Sequence, residues 1–98
     1  MTTKTGVKYD QHKLRFDLVP VKALEAMVDV LTHGAEKYSP DNWRHVDDAR
    51  NRYFAAAQRH LWASRYEEID ADSGRPHLAC AMCCLSFMLE LQLEGEKL

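Results

Sequence analysis

The stretch PHLACAMCCLSFMLELQL, residues 76–93, decides the fold because it is apolar on nearly every side. Proline is favoured at the first helical position, so we expect a helix from Pro76 to about Leu93. One of its faces would consist of Leu78, Ala81, Met82, Leu85 and Leu89, and another of Cys80, Cys84, Phe87 and Leu91. A helix that is apolar nearly all round is buried on more than one side. The pattern therefore predicts that this helix packs against its own chain and against a second copy.

Charged substitutions on the two faces are expected to separate core from interface. If the Leu85 face is core, Leu85→Glu should unfold the chain, whereas Phe87→Glu should mainly split the assembly. Homo-oligomers usually close by two-fold symmetry, so the expected assembly is a homo-dimer or homo-tetramer.

Two amphipathic segments precede this helix. The first is expected between Pro20 and Tyr38, because Pro40 disfavours helix at the residue before it. Its apolar face consists of Leu24, Met27, Val28 and Leu31. After a loop at residues 39–46, Asp47 or Asp48 is expected to cap a second helix. The apolar stripe of that helix consists of Phe54, Ala57 and Leu61. The sequence thus predicts an all-α fold, a small helical bundle of about three main helices completed by homo-oligomerisation.

The length, net charge and uncharged runs of the sequence favour one small domain without membrane or nucleic-acid partners. The chain has 98 residues, which we divide into a polar N-terminal arm at 1–16 and a single α-helical domain at 17–98. Its net charge of −2 argues against nucleic-acid binding, which favours a basic stripe. The longest uncharged run, 78–89, is too short for a membrane span. Three cysteines in one apolar segment disfavour a disulfide framework, so we expect a reducing, cytoplasmic location.

An acidic segment follows the second helix. EEIDADSGRPH, residues 67–77, places four carboxylates within six residues and no Lys or Arg among them. These are Glu67, Glu68, Asp70 and Asp72. Carboxylates this close repel one another unless solvent or a cation relieves them, and Mg²⁺ and Mn²⁺ take oxygen ligands. A solvated acidic turn and a divalent metal site both remain open. A calcium loop of the EF-hand type is excluded, because Ser73 and Ala79 stand where glycine and glutamate are required.

Cysteine and histidine spacing gives a weaker alternative. His77, Cys80 and Cys83 are close enough in sequence to suggest Zn²⁺. The segment has no paired CxxC pattern, and a buried cysteine usually behaves as a small hydrophobe. A structural role for these cysteines is therefore favoured.

The first and second helices each have one polar stripe. His60, Ser64 and Glu67 share one helical face, and His33, Glu36 and Lys37 share another. Lys37 adjoins Tyr38, and an Asn42-Trp43 pair follows soon after. Each feature also fits a purely structural interpretation without a functional site. Arg59 and His60 fit a solvated face, and Trp43 fits a lid on the core. Their combination favours a pocket for phosphates and a flat ring.

Three segments together resemble a known family. These are DLVPVKALEAMVDVLTHGAEKYSPDNW (17–43), YFAAAQRHLWA (53–63) and EEIDADSGRPHLACA (67–81). They resemble the small phage and bacterial dATP/dGTP diphosphohydrolase-like family, which is related to the MazG-like all-α nucleoside triphosphate pyrophosphohydrolases. The similarity covers roughly residues 13–93. Two departures stand out: Glu67 and Asp70 give one ExxD spacing without the full motif pair, and Cys80 stands where related sequences often read HLAHA.

The resemblance implies an activity with its cofactor and site. The chain would hydrolyse a (deoxy)nucleoside triphosphate, expected to be dATP or dGTP, to the monophosphate and pyrophosphate with Mg²⁺ or Mn²⁺. Glu67, Asp70 and Asp72 would be metal ligands. Glu68 would be a further ligand or the base, and His77 a ligand or the partner of one. The substrate would be held by His33, Lys37, Tyr38, Asn42, Trp43, Arg59 and His60. If phage-encoded, the protein would work in the host cytoplasm.

A non-catalytic role remains the alternative. A helical adaptor would use the apolar third helix to bind a partner protein, and the acids would form a solvated rim. Thermal melting with Mn²⁺ and a dNTP separates the two, because only an enzyme that binds them is stabilised by linkage.

Overall fold

The computed structural model describes residues 5–95, and within them it contains three α-helices and no β-strand. The helices are α1 (Val21–Lys37), α2 (Ala49–Ala63) and α3 (His77–Leu93). Short 3-10 helices cover Phe16–Leu18 and Asn42–His45. The predicted all-α class with three main helices is confirmed. The predicted arm stays a prediction; its residues 5–15 are exposed, and residues 1–4 lie outside the described part of the chain.

The helices begin and end near prolines and polar residues. Pro20 immediately precedes α1, and the Tyr38 N–H bonds the Gly34 carbonyl at the other end. Asp48 precedes α2 as expected, but the expected cap is wrong, because its side chain makes no capping bond. Asp48 has a left-handed φ of 53°, and its carboxylate instead accepts a hydrogen bond from Asn51 at 3.1 Å.

The inner face of α3 packs against both α2 and α1. The buried apolar residues are Ala57, Ala79, Cys80, Ala81, Cys83 and Leu91. Most of these side chains are small, so they allow close helix contact but contribute little apolar area each. Larger side chains add to this packing: the Phe87 ring stacks on the Trp43 ring with centroids 4.7 Å apart, and its centroid lies 5.2 Å from that of Tyr53. The core therefore sits along α3, between the other two helices.

The opposite face of α3 is open. We call Leu78, Met82, Leu85 and Leu89 the outer stripe; their exposed fractions are 57%, 36%, 50% and 52%. Leu85 thus points away from the chain's own core and Phe87 points into it, so the condition under which Leu85→Glu would unfold the chain is not met. The physical reason is that Trp43 and Tyr53 provide aromatic partners for Phe87 alone.

Residues 67–76, which we call the acidic loop, join the end of α2 to α3. An isolated antiparallel bridge between Ile69 and Pro76 closes the loop at its base. Arg75 ties it to α1, because its Nε lies 3.0 Å from Asp29 Oδ2. Across the part of the chain described, none of the helices has the length and apolar character that crossing a membrane requires.

Candidate functional site

The acidic loop is a closed turn rather than an extended acidic surface. Its backbone is held by hydrogen bonds from Asp70 N to Arg75 O at 2.8 Å and from Gly74 N to Asp70 O at 2.7 Å. His77 N also donates to Glu68 O at 2.9 Å. Gly74 has a φ of +72°, which an L side chain adopts only with strain. The closed turn fixes Asp70 over the first turn of α3.

Asp70 is half-buried and is the acid that organises this loop. Its Oδ2 accepts hydrogen bonds from Ser73 Oγ at 2.8 Å and from Ser73 N at 3.2 Å. Its Oδ1 lies 3.4 Å from Asp72 N. The hydrogen bond from the Ser73 hydroxyl is the main reason that the pKa of Asp70 is lowered, and nearby His60 lowers it further. Asp70 is therefore ionised at neutral pH.

Two histidines meet beneath the loop. His60 Nδ1 on α2 lies 3.0 Å from His77 Nδ1 on α3, so one of these nitrogens carries the proton of a hydrogen bond. Burial of the His60 ring lowers its pKa below the ordinary 6.5, although Asp70 opposes this effect. His60 is thus largely neutral at neutral pH.

His77 is the one buried polar residue among those described, with 5% of its surface exposed. Its Nε2 lies 3.5 Å from Glu67 Oε1, which is close enough for an ion pair but long for a hydrogen bond. Nε2 has no hydrogen-bond partner among the described residues. Glu67 is exposed and His77 is buried, so this long approach does not satisfy the Nε2 atom.

The loop and two helices bring three potential metal ligands together. One ligand atom from each of His60, Asp70 and Cys80 lies within 4.8 Å of the others, and no other group of this kind occurs among residues 5–95. Ser73 Oγ lies between Asp70 and Cys80, 3.9 Å from the Cys80 sulfur. Burial raises the pKa of the Cys80 thiol. We call His60, Asp70 and Cys80 the junction site, since α2, the loop and α3 supply one residue each.

The predicted carboxylate trio is not gathered in this way. Glu67 and Asp72 are exposed, and neither belongs to a converging group with Asp70. Glu68 is exposed as well, and its backbone carbonyl serves the loop closure. The reason is the tight turn, which directs Asp70 inward and leaves its neighbours on the rim. The assignment of Glu67 and Asp72 as ligands, and of Glu68 as a ligand or base, stays a prediction.

The end of α1 lies near the loop. The pKa of Lys37 is raised, first by a hydrogen bond with Tyr38 and also by the charge of Asp72. Lys37 Nζ also lies 5.2 Å from the Tyr38 ring centroid. His33 is half-buried on the same helix, and Tyr38 is 64% exposed. Lys37 is therefore the predicted phosphate contact that the structure places beside the acidic loop.

Trp43 occupies a different environment from the one predicted for a base platform. Phe87 covers one ring face at 4.7 Å and 10°, and the Arg44 guanidinium lies 4.4 Å from the ring centroid. Tyr53 donates a hydrogen bond to the Trp43 carbonyl at 2.9 Å. The assignment of Trp43 as a substrate contact stays a prediction. This geometry supports the alternative that Trp43 covers the core, while neighbouring Asn42 is exposed.

An open depression of about 250 Å³ lies on the outer side of the loop. It is lined by Ser64, Arg65, Tyr66, Glu67, Glu68, Pro76 and Leu78. The depression contains two predicted acids but none of the junction site. Glu67 links the two regions through its approach to His77. Titratable groups converge at the junction site and not in the depression.

Sequence reasoning missed Ser73 and underrated Cys80. The available signal was the HLAC string, since His77 and Cys80 stand three residues apart on a helix and project from one side. That spacing suggested zinc with Cys83 as a partner. Cys83 instead donates to the Met27 carbonyl at 3.4 Å, away from His60. Arg59 is exposed next to His60, and its charge contributes to the lowered pKa of that histidine.

Known proteins similar to this chain share one description. The sequence model of the family described as dATP/dGTP diphosphohydrolase, N-terminal, matches residues 3–98. A dATP/dGTP diphosphohydrolase of Salmonella phage PMBT28 is 32% identical over 88 residues. That alignment covers 89% of this chain and 30% of the relative, so the chain spans about a third of the curated relative's length. No solved structure matches.

Proposed function

The chain belongs to the dATP/dGTP diphosphohydrolase N-terminal family, and from this premise we propose that it hydrolyses a purine deoxynucleoside triphosphate. The proposed products are the monophosphate and pyrophosphate, and the proposed cofactor is Mg²⁺ or Mn²⁺. The observation that carries this proposal is the junction site: an ionised Asp70 beside a neutral His60, in a chain of that family. A protonated Lys37 near the loop supplies positive charge for phosphates.

The protein's own groups have separable roles in this proposal. His60 is neutral and takes the proton of the attacking water, and the charge of Asp70 favours the resulting imidazolium. Lys37 and Arg59 bind phosphate oxygens, since both are cations near the loop or its histidine. The second histidine, His77, orients His60 through their 3.0 Å contact. His33, Tyr38 and Asn42 are kept as proposed sugar or base contacts.

A bound divalent cation would neutralise phosphate charge and lower the pKa of water. The carboxylates of Glu67, Asp70 and Asp72 do not converge in this structure, so their joint binding of one ion stays a prediction. Mg²⁺ is commonly bound through one or two carboxylates and the substrate phosphates, so Asp70 alone suffices as a protein anchor. No step in the proposal depends on Glu67 or Asp72 as ligands.

We further propose that the active form is a two-fold homo-oligomer through the outer stripe. Four large apolar side chains on one helical face are too exposed to belong to a monomer's core. The same stripe is the specific observation that favours the adaptor alternative. An enzyme and an adaptor are distinguished by ligand binding. Mn²⁺ with dGTP should raise the melting temperature of an enzyme, which binds them, and leave that of an adaptor unchanged.

The direct experiment is a product analysis. The pure protein is incubated with each dNTP and NTP in the presence of Mg²⁺ or Mn²⁺, and products are separated by anion-exchange chromatography. We expect pyrophosphate and a monophosphate, fastest with dATP or dGTP. Release of orthophosphate as the first product, or no turnover with any nucleotide, would contradict the proposal.

A further inference from the structure

The junction site has the geometry of a metal site that needs only a small contraction. Its three ligand atoms lie within 4.8 Å of one another. In a tetrahedral zinc site, bond lengths of about 2.0–2.3 Å place neighbouring ligand atoms roughly 3.3–3.8 Å apart. Rotamer adjustments of about 1 Å would close that difference. Because α2, the acidic loop and α3 each supply one ligand, the ion would join the three elements that form the site.

The donor types indicate which ion fits. An imidazole, a carboxylate and a thiolate provide nitrogen, oxygen and sulfur. Mg²⁺ requires near-octahedral oxygen coordination and disfavours sulfur. Zn²⁺ is borderline-soft and accepts all three donors, and sites with three protein ligands keep a fourth position open. The sulfur of Cys80 therefore favours Zn²⁺ at this site over the Mg²⁺ or Mn²⁺ that the acidic sequence predicted, although Asp70 belongs to both ligand sets.

We propose that His60, Asp70 and Cys80 bind one Zn²⁺-like transition-metal ion per chain, with the fourth position open to water or a phosphate oxygen. The binding itself does not depend on the proposed hydrolysis. Because Zn²⁺ would use the lone pair of His60 and the carboxylate of Asp70, the zinc-bound chain and the proposed hydrolytic state with Mg²⁺ or Mn²⁺ exclude one another. Binding is balanced in charge, because one carboxylate and one thiolate offset the 2+ ion. The Cys80 thiol loses its proton to solvent, as a coordinating thiol does.

The buried His77 supplies a second, independent observation. A metal-bound histidine usually donates its other ring N–H to an acceptor, which fixes its tautomer. His60 can do this, because its Nδ1 lies 3.0 Å from His77 Nδ1. If His60 Nδ1 donates, His60 Nε2 keeps the lone pair, and His77 carries its proton on Nε2. That nitrogen is buried without a hydrogen-bond partner and faces Glu67 at 3.5 Å. A small shortening of the Glu67–His77 distance would complete a hydrogen-bonded chain from Glu67 through His77 to His60, on the side of the His60 ring opposite the ion.

Ser73 holds the other two ligands in place. Its hydroxyl donates to Asp70 Oδ2 at 2.8 Å and lies 3.9 Å from the Cys80 sulfur. Its backbone N–H also donates to Asp70. The carboxylate is therefore oriented before an ion arrives. Preorganisation of this kind increases metal affinity, because less ordering is required on binding.

The test uses Co²⁺ as a spectroscopic substitute for Zn²⁺. The 98-residue protein is stripped with a chelator under reducing conditions and titrated with Co²⁺. We expect one ion per chain, visible d–d bands of a tetrahedral site and a near-ultraviolet sulfur-to-cobalt charge-transfer band. Added Zn²⁺ should abolish the bands by displacing Co²⁺.

Matched variants identify the ligands. Cys80→Ser should remove the charge-transfer band, whereas Cys84→Ser, one helical turn away, should retain it. His60→Gln and Asp70→Asn should each weaken Co²⁺ binding at least about tenfold. Circular dichroism of each stripped variant shows whether the helices remain. If Cys80→Ser unfolds, Cys80→Ala and the stoichiometry of His60→Gln give the same information.

The outcomes separate this inference from the proposed function. Wild-type protein without a charge-transfer band, or a band that Cys80→Ser retains, would overturn the metal site even if dGTP is hydrolysed with Mg²⁺. Stoichiometric binding that depends on Cys80 and His60 establishes the site even if no nucleotide is cleaved. In that second case, the proposed function fails and the inference stands.

Discussion

At the scale of single residues, local partners decide which polar and aromatic groups are available for chemistry. Asp70 and Glu67 are three residues apart in one acidic segment, yet only Asp70 is held by the Ser73 hydroxyl and backbone. Trp43 and Trp62 differ in the same way: Phe87 and Arg44 contact Trp43, whereas Trp62 is 66% exposed. Residue type alone would assign both members of each pair the same role, and only their packing in the structure distinguishes them.

Trp43 is predicted to stabilise the fold. Trp43→Ala should lower the free energy of unfolding by about 2–3 kcal/mol, because a half-buried stacked ring is lost. Trp43→Phe should recover much of that loss. Trp62→Ala is the matched control and should cost less than about 0.5 kcal/mol. The measurement is urea unfolding followed by circular dichroism. Equal losses in Trp43→Ala and Trp62→Ala would show that the stacking on Phe87 contributes nothing.

Cys83 is predicted to be the slowest thiol to react. Burial raises its pKa from the ordinary 9.0 to about 12, so at pH 8 its thiolate fraction falls about a thousandfold. We expect iodoacetamide to leave Cys83 unmodified in the folded protein and to modify it in urea, as read by peptide mass spectrometry. Rapid native-state labelling of Cys83 would mean that α3 opens readily from α1.

At the scale of elements, the acidic loop does most to build the site, and the sequence predicted its composition but not its shape. Prolines and apolar spacing predicted α1 and α3 well, because those signals are local and periodic. The loop has no period. Its shape depends on the Ile69–Pro76 bridge and on Arg75 reaching Asp29, 46 residues away in the chain. Such long-range contacts leave no local pattern, so the inward turn of Asp70 was not predicted.

Gly74 is predicted to be required for that shape. Gly74→Ala places a side chain at φ +72° and should cost about 1 kcal/mol, although no atom lies within 4 Å of the new methyl group. Gly34→Ala is the matched control. Gly34 lies inside α1 with equal space, so alanine should stabilise the helix by roughly 0.5–1 kcal/mol.

Thermal unfolding of both glycine variants measures these opposite effects. Gly74→Ala should also weaken Co²⁺ binding, since the loop positions Asp70, whereas Gly34→Ala should leave it unchanged. If Gly74→Ala and Gly34→Ala changed the melting temperature by the same amount in the same direction, the strain assigned to Gly74 would be contradicted.

At the scale of the whole molecule, the chain buries mostly small side chains and leaves large ones exposed. The described residues contain no large side chain that is fully buried, while four residues of the outer stripe are at least 36% exposed. The sequence predicted that α3 has two apolar faces, because apolar residues surround it. It did not identify the inner face, since that depends on where Trp43 and Tyr53 lie in three dimensions.

Charge placed on the two faces of α3 is predicted to have opposite consequences. Leu85→Glu should keep the helical content and dissociate the proposed oligomer, because Leu85 is half-exposed. Phe87→Glu should lower stability by several kcal/mol, roughly 3 or more, because it inserts a charge between two aromatic rings. Sedimentation velocity and circular dichroism distinguish these results. A wild-type protein that sediments as a monomer at micromolar concentration would contradict the interface.

The most direct test of the central claim is pyrophosphate release by three proteins in one assay. Wild type, Asp70→Asn and Asp47→Asn are compared with dGTP and a divalent cation, after circular dichroism has shown equal helical content. Asp47 is exposed and precedes α2, whose first residue, Ala49, lies about 16 Å along the helix from His60, so it is a matched carboxylate outside the junction site. We predict that Asp70→Asn loses at least about 100-fold in kcat/KM and that Asp47→Asn retains wild-type activity. Equal activity in all three proteins would contradict the assignment of the chemistry to the junction site.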